Sequence, residues 1–405
     1  MQPRRTKELS LLALESRIKR ELRVHMRTLG FIRSANGELR PPDDSKESLR
    51  SLHRLQREER LAQEGRFIER EWPELRNHFA DGKEVNPARI SPRLELVLAE
   101  TWQSRLFRLA SLTWSVPVSQ GYGRRMRFLL WDDNNDRLIG IIALGDPVFN
   151  LSVRDGLIGW TAEQRRERLV NVLDAYVLGA LPPYSFLLAG KLVACLLKTK
   201  EVRDAFSQRY SKAKGVISNK RKHASLALIT TSSALGRSSV YNRLSLGGTN
   251  YFRSIGYTAG WGHFHIPKDV FELIRNYLEI KGDTYAFNNR FGDGPNWRMR
   301  AIRQALSSTG LNPDLLRHGV SREVFVCEIA SNARSFLIGK SKKACYRGLL
   351  SANQVSELAK ARWIVPRAVR RSEYREWKKD QLGCMLEQPV AFYGKSLAGS
   401  AGNEV

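Results

Sequence analysis

Cysteine is sparse in this 405-residue chain: four residues, at positions 195, 327, 345 and 384, none spaced as CxxC. Structural zinc needs close ligand pairs and a disulfide scaffold needs density, so the pattern argues against both. A clean apolar run of membrane length is also missing. The longest candidate, 175–197, is interrupted by Pro182 and Pro183 and carries Lys191, so it reads as a buried strand, a turn and a helix start. The N-terminal stretch MQPRRTKELSLLALESRIKREL sets charges inside its apolar pattern, as an amphipathic helix does and a signal peptide does not. The expected setting is the cytoplasm, with no membrane partner. Internal repeats are lacking, and so is any helix-turn-helix, RRM or zinc-finger pattern.

Negative charge is the scarcest quantity relative to its opposite. Forty-one acidic residues face 67 Lys+Arg, a net charge of +26. Self-repulsion of that size opposes compaction unless a polyanion neutralises it, so nucleic acid is the expected partner, DNA ahead of RNA. The alternative is a basic subunit docking on an acidic protein. A hydrophobic content of 42% with nine tryptophans is enough for a sizeable core.

Periodicity divides the chain. Leu11, Leu14, Ile18, Leu22, Met26 and Leu29 predict a helix stopped by Gly30. Asp44 with Glu47 reads as the cap pair of a second helix bearing Leu49, Leu52 and Leu55. From about Asp81 the grammar becomes mixed. A helix is expected over 94–109, and a hairpin over 126–131 and 138–144 around the turn formers 132–136. A polar helix at 163–170 leads to a strand-like run at 172–181, and a further helix starts near Ala189 and continues through Val202 and Phe206. Strands are expected at 226–231, 251–258 and 262–266, a helix after Pro267, another opened by the Gly-rich loop 291–296, and a last strand at 323–330. The fold class is therefore α/β (α+β), a mixed sheet with flanking helices. Its expected divisions are a helical region 1–80, a core 81–335, a basic, mainly helical region 336–392 and a small polar tail 393–405.

Three basic clusters stand out: Lys212, Lys214, Lys220, Arg221 and Lys222; Arg298, Arg300 and Arg303; and Arg367, Arg370 and Arg371. The last lies in a stretch where Tyr346, Trp363, Tyr374 and Trp377 are interleaved. Cations with aromatics suit phosphate contacts and base stacking, whereas a single charge run is usually a solvated face. Arg154-Asp155 beside the apolar Ile158-Gly159-Trp160 reads as a partly buried pair, either structural or organising a site. On a strand His263 and His265 would share a face, but no nearby carboxylate or cysteine completes a metal site. Asp132, Asp133, Asp136, Asp146 and Asp155 invite a two-metal nuclease reading, against which three of them sit in one hairpin turn. No metal is expected.

Two family resemblances add to this. The order hairpin, strand, loop, helix, strand, helix with Tyr241 and closing strands is similar to the second part of a GNAT acyltransferase core. That resemblance implies an acyl-CoA pyrophosphate held at the loop containing Gly190 and Lys191, with Tyr241 as the acid. The loop departs from the family pattern: Phe186 stands near the expected polar position and only Gly190 is kept. From roughly Pro92 to Pro366 the wording resembles the DruA family of Druantia anti-phage systems. The residues that carry it are Trp114-Ser115-x-Pro117, Gly121 to Met126, Leu138-Ile139-Gly140, Asp146 to Phe149, Arg154-Asp155, Ile158-Gly159-Trp160, Gly236 to Tyr241, Gly256-Tyr257-Thr258, Gly262 to His265 and Arg362-Trp363-x-x-Pro366. That family implies a subunit of a multi-gene defence system that also encodes a large helicase-like protein. It implies no reaction.

Overall fold

The computed structural model describes residues 2–33, 39–118, 123–212, 223–283, 288 and 295–387. The chain forms two compact units, each assembled from separated segments: 1–56, 234–236 and 257–322 in the first, and 57–233, 237–256 and 323–405 in the second.

A seven-stranded mixed sheet is the backbone of the second unit. Its strands are β1 (Pro92–Leu96), β2 (Arg125–Asp132), β3 (Arg137–Gly145), β4 (Val172–Ala180), β5 (Leu228–Ser232), β6 (Arg253–Tyr257) and β7 (Glu323–Glu328), in the spatial order β6-β7-β5-β4-β3-β2-β1. Strands β1 to β4 form an antiparallel meander. The predicted hairpin is β2 and β3, closed by backbone bonds from Asn135 and Asp136 to the Asp132 carbonyl, with Asp136 in the left-handed region at φ 54°. Beyond Arg137, β3 is buried throughout, because both sheet faces are covered. On one face Leu129, Ile141 and Ala143 meet Leu106, Leu109 and Phe79; on the other Phe128, Ile142 and Leu144 meet Leu192, Val193 and Phe206. Each such Leu, Ile, Val or Phe side chain contributes about 1.5–3 kcal/mol of burial. The β3–β4 crossing admits only glycine at 140, since a Cβ there would overlap the Gly179 carbonyl.

Strands β4 and β5 pair in parallel over three residues only, Val172 to Asp174 against Leu228 to Thr230. Past that junction the contact becomes a side-chain one, Thr231 Oγ1 donating to the Ala175 carbonyl at 2.8 Å. A register shift against β3 leaves Tyr176 as an extra, bulged residue in β4.

Several elements differ from the sequence reading. The expected helix over 94–109 is the edge strand β1 followed by a helix at Trp102–Ser111. Leu94 and Leu96 alternate into the core with period two, and Thr101 caps the helix by accepting from the Ser104 N–H. The single helix expected from Ala189 through Phe206 is two, Ala189–Leu196 and Lys200–Tyr210, broken where Thr199 bridges Leu350. Tyr241 lies in a turn and not on a helix, because the Ser238 hydroxyl takes the N–H groups of Val240 and Tyr241. The expected strand 262–266 is a bend and turn closed by Ile266 N–H to the His263 carbonyl. Ser45, not Asp44, caps the helix Lys46–Leu52.

In the first unit, the helices Gln2–Thr28, Lys268–Lys281 and Pro295–Ser308 share one core, with Ile18, Leu22, Val270, Ile274, Ile302 and Leu306 among its buried members. Gly30 (φ 74°) follows the first helix, as the leucine spacing predicts. None of the described helices is long and apolar enough to cross a membrane.

Candidate nucleic-acid interface

The helix Pro295–Ser308 contains three arginines and no acid. Ala301, Ile302, Ala305 and Leu306 bury one side of it, which leaves the arginines to the other positions. They divide by environment. Arg298 turns inward: its Nη2 donates to the Ile266 carbonyl at 2.9 Å and its guanidinium lies 4.4 Å from the Phe271 ring centre. Arg300 is half-buried, whereas Arg303 is exposed. The Arg303 guanidinium stands 5.7 Å from the ring centre of Trp261, which is 41% exposed.

The Trp261 segment is fixed on several sides. It forms an antiparallel bridge with Arg317, itself exposed, flanked by Gly262 N–H to the Leu316 carbonyl at 3.0 Å and His318 N–H to the Gly260 carbonyl at 2.9 Å. Gly260 and Gly319 face each other with positive φ, and a Cβ on Gly260 would stand 3.1 Å from the Gly319 backbone. Beneath lies a ring cluster in which Phe264 is 4.5 Å from His53, 4.7 Å from His318 and 5.4 Å from His265. His318 Nδ1 accepts from the Val320 N–H, so the ring is neutral, and the ring also bonds the Trp261 backbone. Burial pushes the pKa of His53, His263 and His265 down to about 4 and that of His318 to about 3; Arg322 adds to the effect on His53 and Arg298 to that on His263. Because 262–266 is a turn, His263 and His265 do not present a strand face. Among the described residues no group of three His, Cys, Asp or Glu could hold a metal ion.

The remaining basic residues behave differently. Lys212 is exposed just beyond the helix Lys200–Tyr210, and Lys214, Lys220, Arg221 and Lys222 lie outside the described residues. In the short helix Val365–Arg370, Arg367 Nε donates to the Phe186 carbonyl at 3.2 Å and Arg370 Nε to the Pro366 carbonyl at 3.1 Å. Arg371 pairs with Glu373 at 3.2 Å. The aromatics interleaved with these cations are core residues: Trp363, Tyr374 and Trp377 are buried, and Tyr346 lies under the Arg203 guanidinium. Trp261 is an exposed aromatic beside a cation, as is Phe149, 47% exposed with the Arg165 guanidinium 4.7 Å from its ring centre. Charge clustering does not mark Trp261, because its cations come from residues 303 and 317, about 40 and 55 positions on.

Arg154 is fully buried in the second unit. Its Nε and Nη2 donate to Asp155 at 2.8 and 2.7 Å, and its Nη1 and Nη2 to the carbonyls of Val148 and Phe149. Asp155 also accepts from Arg165 at 3.0 Å and from the Leu151 N–H. The pair thus clamps the segment after β3. Asp174 is enclosed nearby, bonded by Thr230 Oγ1 at 2.6 Å, and burial raises its pKa to about 6. The other carboxylates are spent on structure: Asp132 accepts from Ser91 N–H, Asn134 N–H and Tyr184 Oη, Asp133 pairs with Arg93, and Asp146 binds Arg124.

In the loop expected to cradle a pyrophosphate, several N–H donors are already used within the chain. The N–H groups of Ser185, Phe186, Leu188 and Lys191 are taken by the carbonyls of Leu181, Pro183, Ser185 and Leu188. Gly190 opens onto free space, but the Lys191 ammonium lies 5.3 Å from the Trp363 ring centre. Tyr241 packs between Phe252 and Phe325, and its hydroxyl bonds Thr231; burial pushes its pKa up to about 12. It is half-buried and packs against the core.

No solved structure matches the chain. The family model for Druantia protein DruA matches residues 43–339. A Druantia protein DruA from Escherichia coli (strain UMEA 4076-1) is 52% identical over 368 residues, which is 91% of this chain and 91% of that protein. The match runs through both units, including the arginine helix, the Arg154 clamp and the Trp261 segment. With identity this high over nine-tenths of both chains, the protein belongs to the DruA family of Druantia anti-phage proteins.

Proposed function

We propose that this chain is the nucleic-acid-binding subunit of its Druantia system, holding DNA through basic surfaces while a helicase-like partner acts on it. The observation that carries the reading is the acid-free helix Pro295–Ser308, with Arg303 exposed in a chain of net charge +26. An exposed guanidinium such as that of Arg303 neutralises a phosphate without reading sequence. The test is a salt series on the purified, nuclease-treated protein with labelled duplex and single-stranded DNA. Affinity should fall linearly in log–log form, with a slope near −0.9 per phosphate neutralised on duplex DNA. Binding that ignores salt, or no binding at low salt, sinks the reading. Copurification of partner subunits that survives nuclease treatment would favour a protein-docking role for the positive charge.

The element order still supports a GNAT-like ancestry for the sheet. Hairpin, strand, loop, helix and second strand occur in the order which that resemblance implies, with the tyrosine helix replaced by a turn. Acyl transfer is the weaker reading of such a core, because Phe186 stands near the expected polar position and the N–H groups of Ser185, Phe186, Leu188 and Lys191 are taken by carbonyls of the same segment. A calorimetric titration with acetyl-CoA should give no heat.

A further inference from the structure

We propose that Trp261, with Arg303 and Arg317, is a stacking site for an unpaired base of single-stranded DNA, which rests on the nucleic-acid reading above and specifies its substrate. An exposed indole offers a large, rigid ring face for contact at low conformational cost. Trp261 is 41% exposed while its backbone is bridged to Arg317 and bonded on both sides. The Arg317 bridge, two flanking backbone hydrogen bonds and the His318 ring hold it, and the Gly260–Gly319 approach leaves no space for side chains at the base of the turn. An exposed ring on a mobile loop would lose much of a stacking gain to ordering; one on a fixed loop does not.

The cations around it are placed for a nucleotide. Arg303 approaches the indole at 5.7 Å from a helix that carries no acid, and Arg317 is exposed on the paired segment directly across from Trp261. A base stacked on the indole would have its phosphates within reach of guanidinium groups from two elements. Every base has a π face, so such a site tolerates sequence, but it needs an unpaired base; in a duplex the faces are covered by neighbouring pairs. Single-stranded DNA is favoured over an acidic protein segment because aspartate and glutamate offer charge without a ring to occupy the indole.

The experiment is fluorescence anisotropy of the full-length protein with labelled oligo-dT and with a duplex of equal length, comparing wild type, Trp261→Ala, Trp261→Phe and Arg303→Ala. Trp261→Ala should weaken oligo-dT binding by about 5- to 100-fold and duplex binding by less than about twofold. Trp261→Phe, which keeps a ring, should recover most of the loss. Arg303→Ala, at an exposed helix position, should reduce the magnitude of the salt slope by about 0.7 on the single strand. If Trp261→Ala and Arg303→Ala both bind oligo-dT like wild type, the stacking site is refuted while the DNA-binding reading stands. Equal losses on single strand and duplex also refute it. Failure of wild type to bind either DNA overturns the broader reading and this one with it. Should Trp261→Ala unfold by circular dichroism, the Trp261→Phe and Arg303→Ala pair decides alone.

Discussion

Replacing Asp155 with alanine leaves a fully buried guanidinium without the carboxylate it bonds. The carboxylate now receives two bonds from Arg154, one from Arg165 and one from the Leu151 N–H. Removing one partner of a buried ion pair costs about 3–5 kcal/mol, mostly the desolvation of the ion left behind. Two carbonyls, those of Val148 and Phe149, still solvate Arg154, so the lower end, about 3 kcal/mol, is expected. With an unfolding entropy of about 2.1 cal/mol/K per residue over a cooperative unit of this size, Tm should fall by about 4–6 °C. The double variant Arg154→Leu/Asp155→Leu should recover at least half of that, because it removes the stranded charge. Thermal unfolding followed by circular dichroism for Arg154→Leu, Asp155→Leu and the double gives the coupling directly. A loss below about 1 °C in Asp155→Ala, or no recovery in the double, would refute the clamp.

Other consequences are equally direct. The histidines at 53, 263, 265 and 318 have folded pKa values lowered to about 4 or below, so stability is full above pH 6.5, falls progressively as pH drops from 6.5 and levels off below about 4. At pH 5 each, taken alone, costs on the order of 2 kcal/mol, a sizeable fraction of a domain's stability. Circular dichroism should therefore register an acid transition near pH 5, and an unchanged spectrum down to pH 4.5 would contradict the burial. Asp174 has the opposite sign: its pKa, raised to about 6, makes stability fall between pH 3.8 and 6 by about 3 kcal/mol. Asp174→Asn should thus raise Tm at pH 8 and leave it unchanged at pH 4. Tyr241→Phe should cost about 1 kcal/mol in urea denaturation, the worth of one hydrogen bond, with DNA affinity unaltered.

The strongest periodic signals were legible from the residues alone. The β2–β3 hairpin, the N-terminal helix ended at Gly30 and the amphipathic helix after Pro267 all form where local chemistry and burial agree. Short segments misled. Leu94 and Leu96 fit a helical window and a strand equally, and pairing with β2 decided the matter. Tyr241 sits at helical spacing from Leu244, yet the Ser238 hydroxyl captured the N–H groups a helix would have needed. At the candidate site, the cations of the arginine helix were visible as a cluster, but their separate fates were not. Arg298 packs on Phe271 and Arg303 meets Trp261 because tertiary contacts choose the direction of each side chain. Trp261 escaped notice since no spacing rule connects it to Arg303 or Arg317.

The interrupted layout of the first unit has a consequence for synthesis. Its opening helix Gln2–Thr28 packs on Lys268–Lys281, which leaves the ribosome some 240 residues later. At about 5–20 residues per second, the apolar stripe of Ile18, Leu22 and Met26 waits for its partner for about 12–50 s. Meanwhile the meander from β1 to β4, contiguous between 92 and 180, can close as soon as it emerges. The nascent chain therefore carries a finished sheet half and an unsatisfied leading helix at the same time, and that helix is where a trigger-type holdase or a premature neighbour would find it.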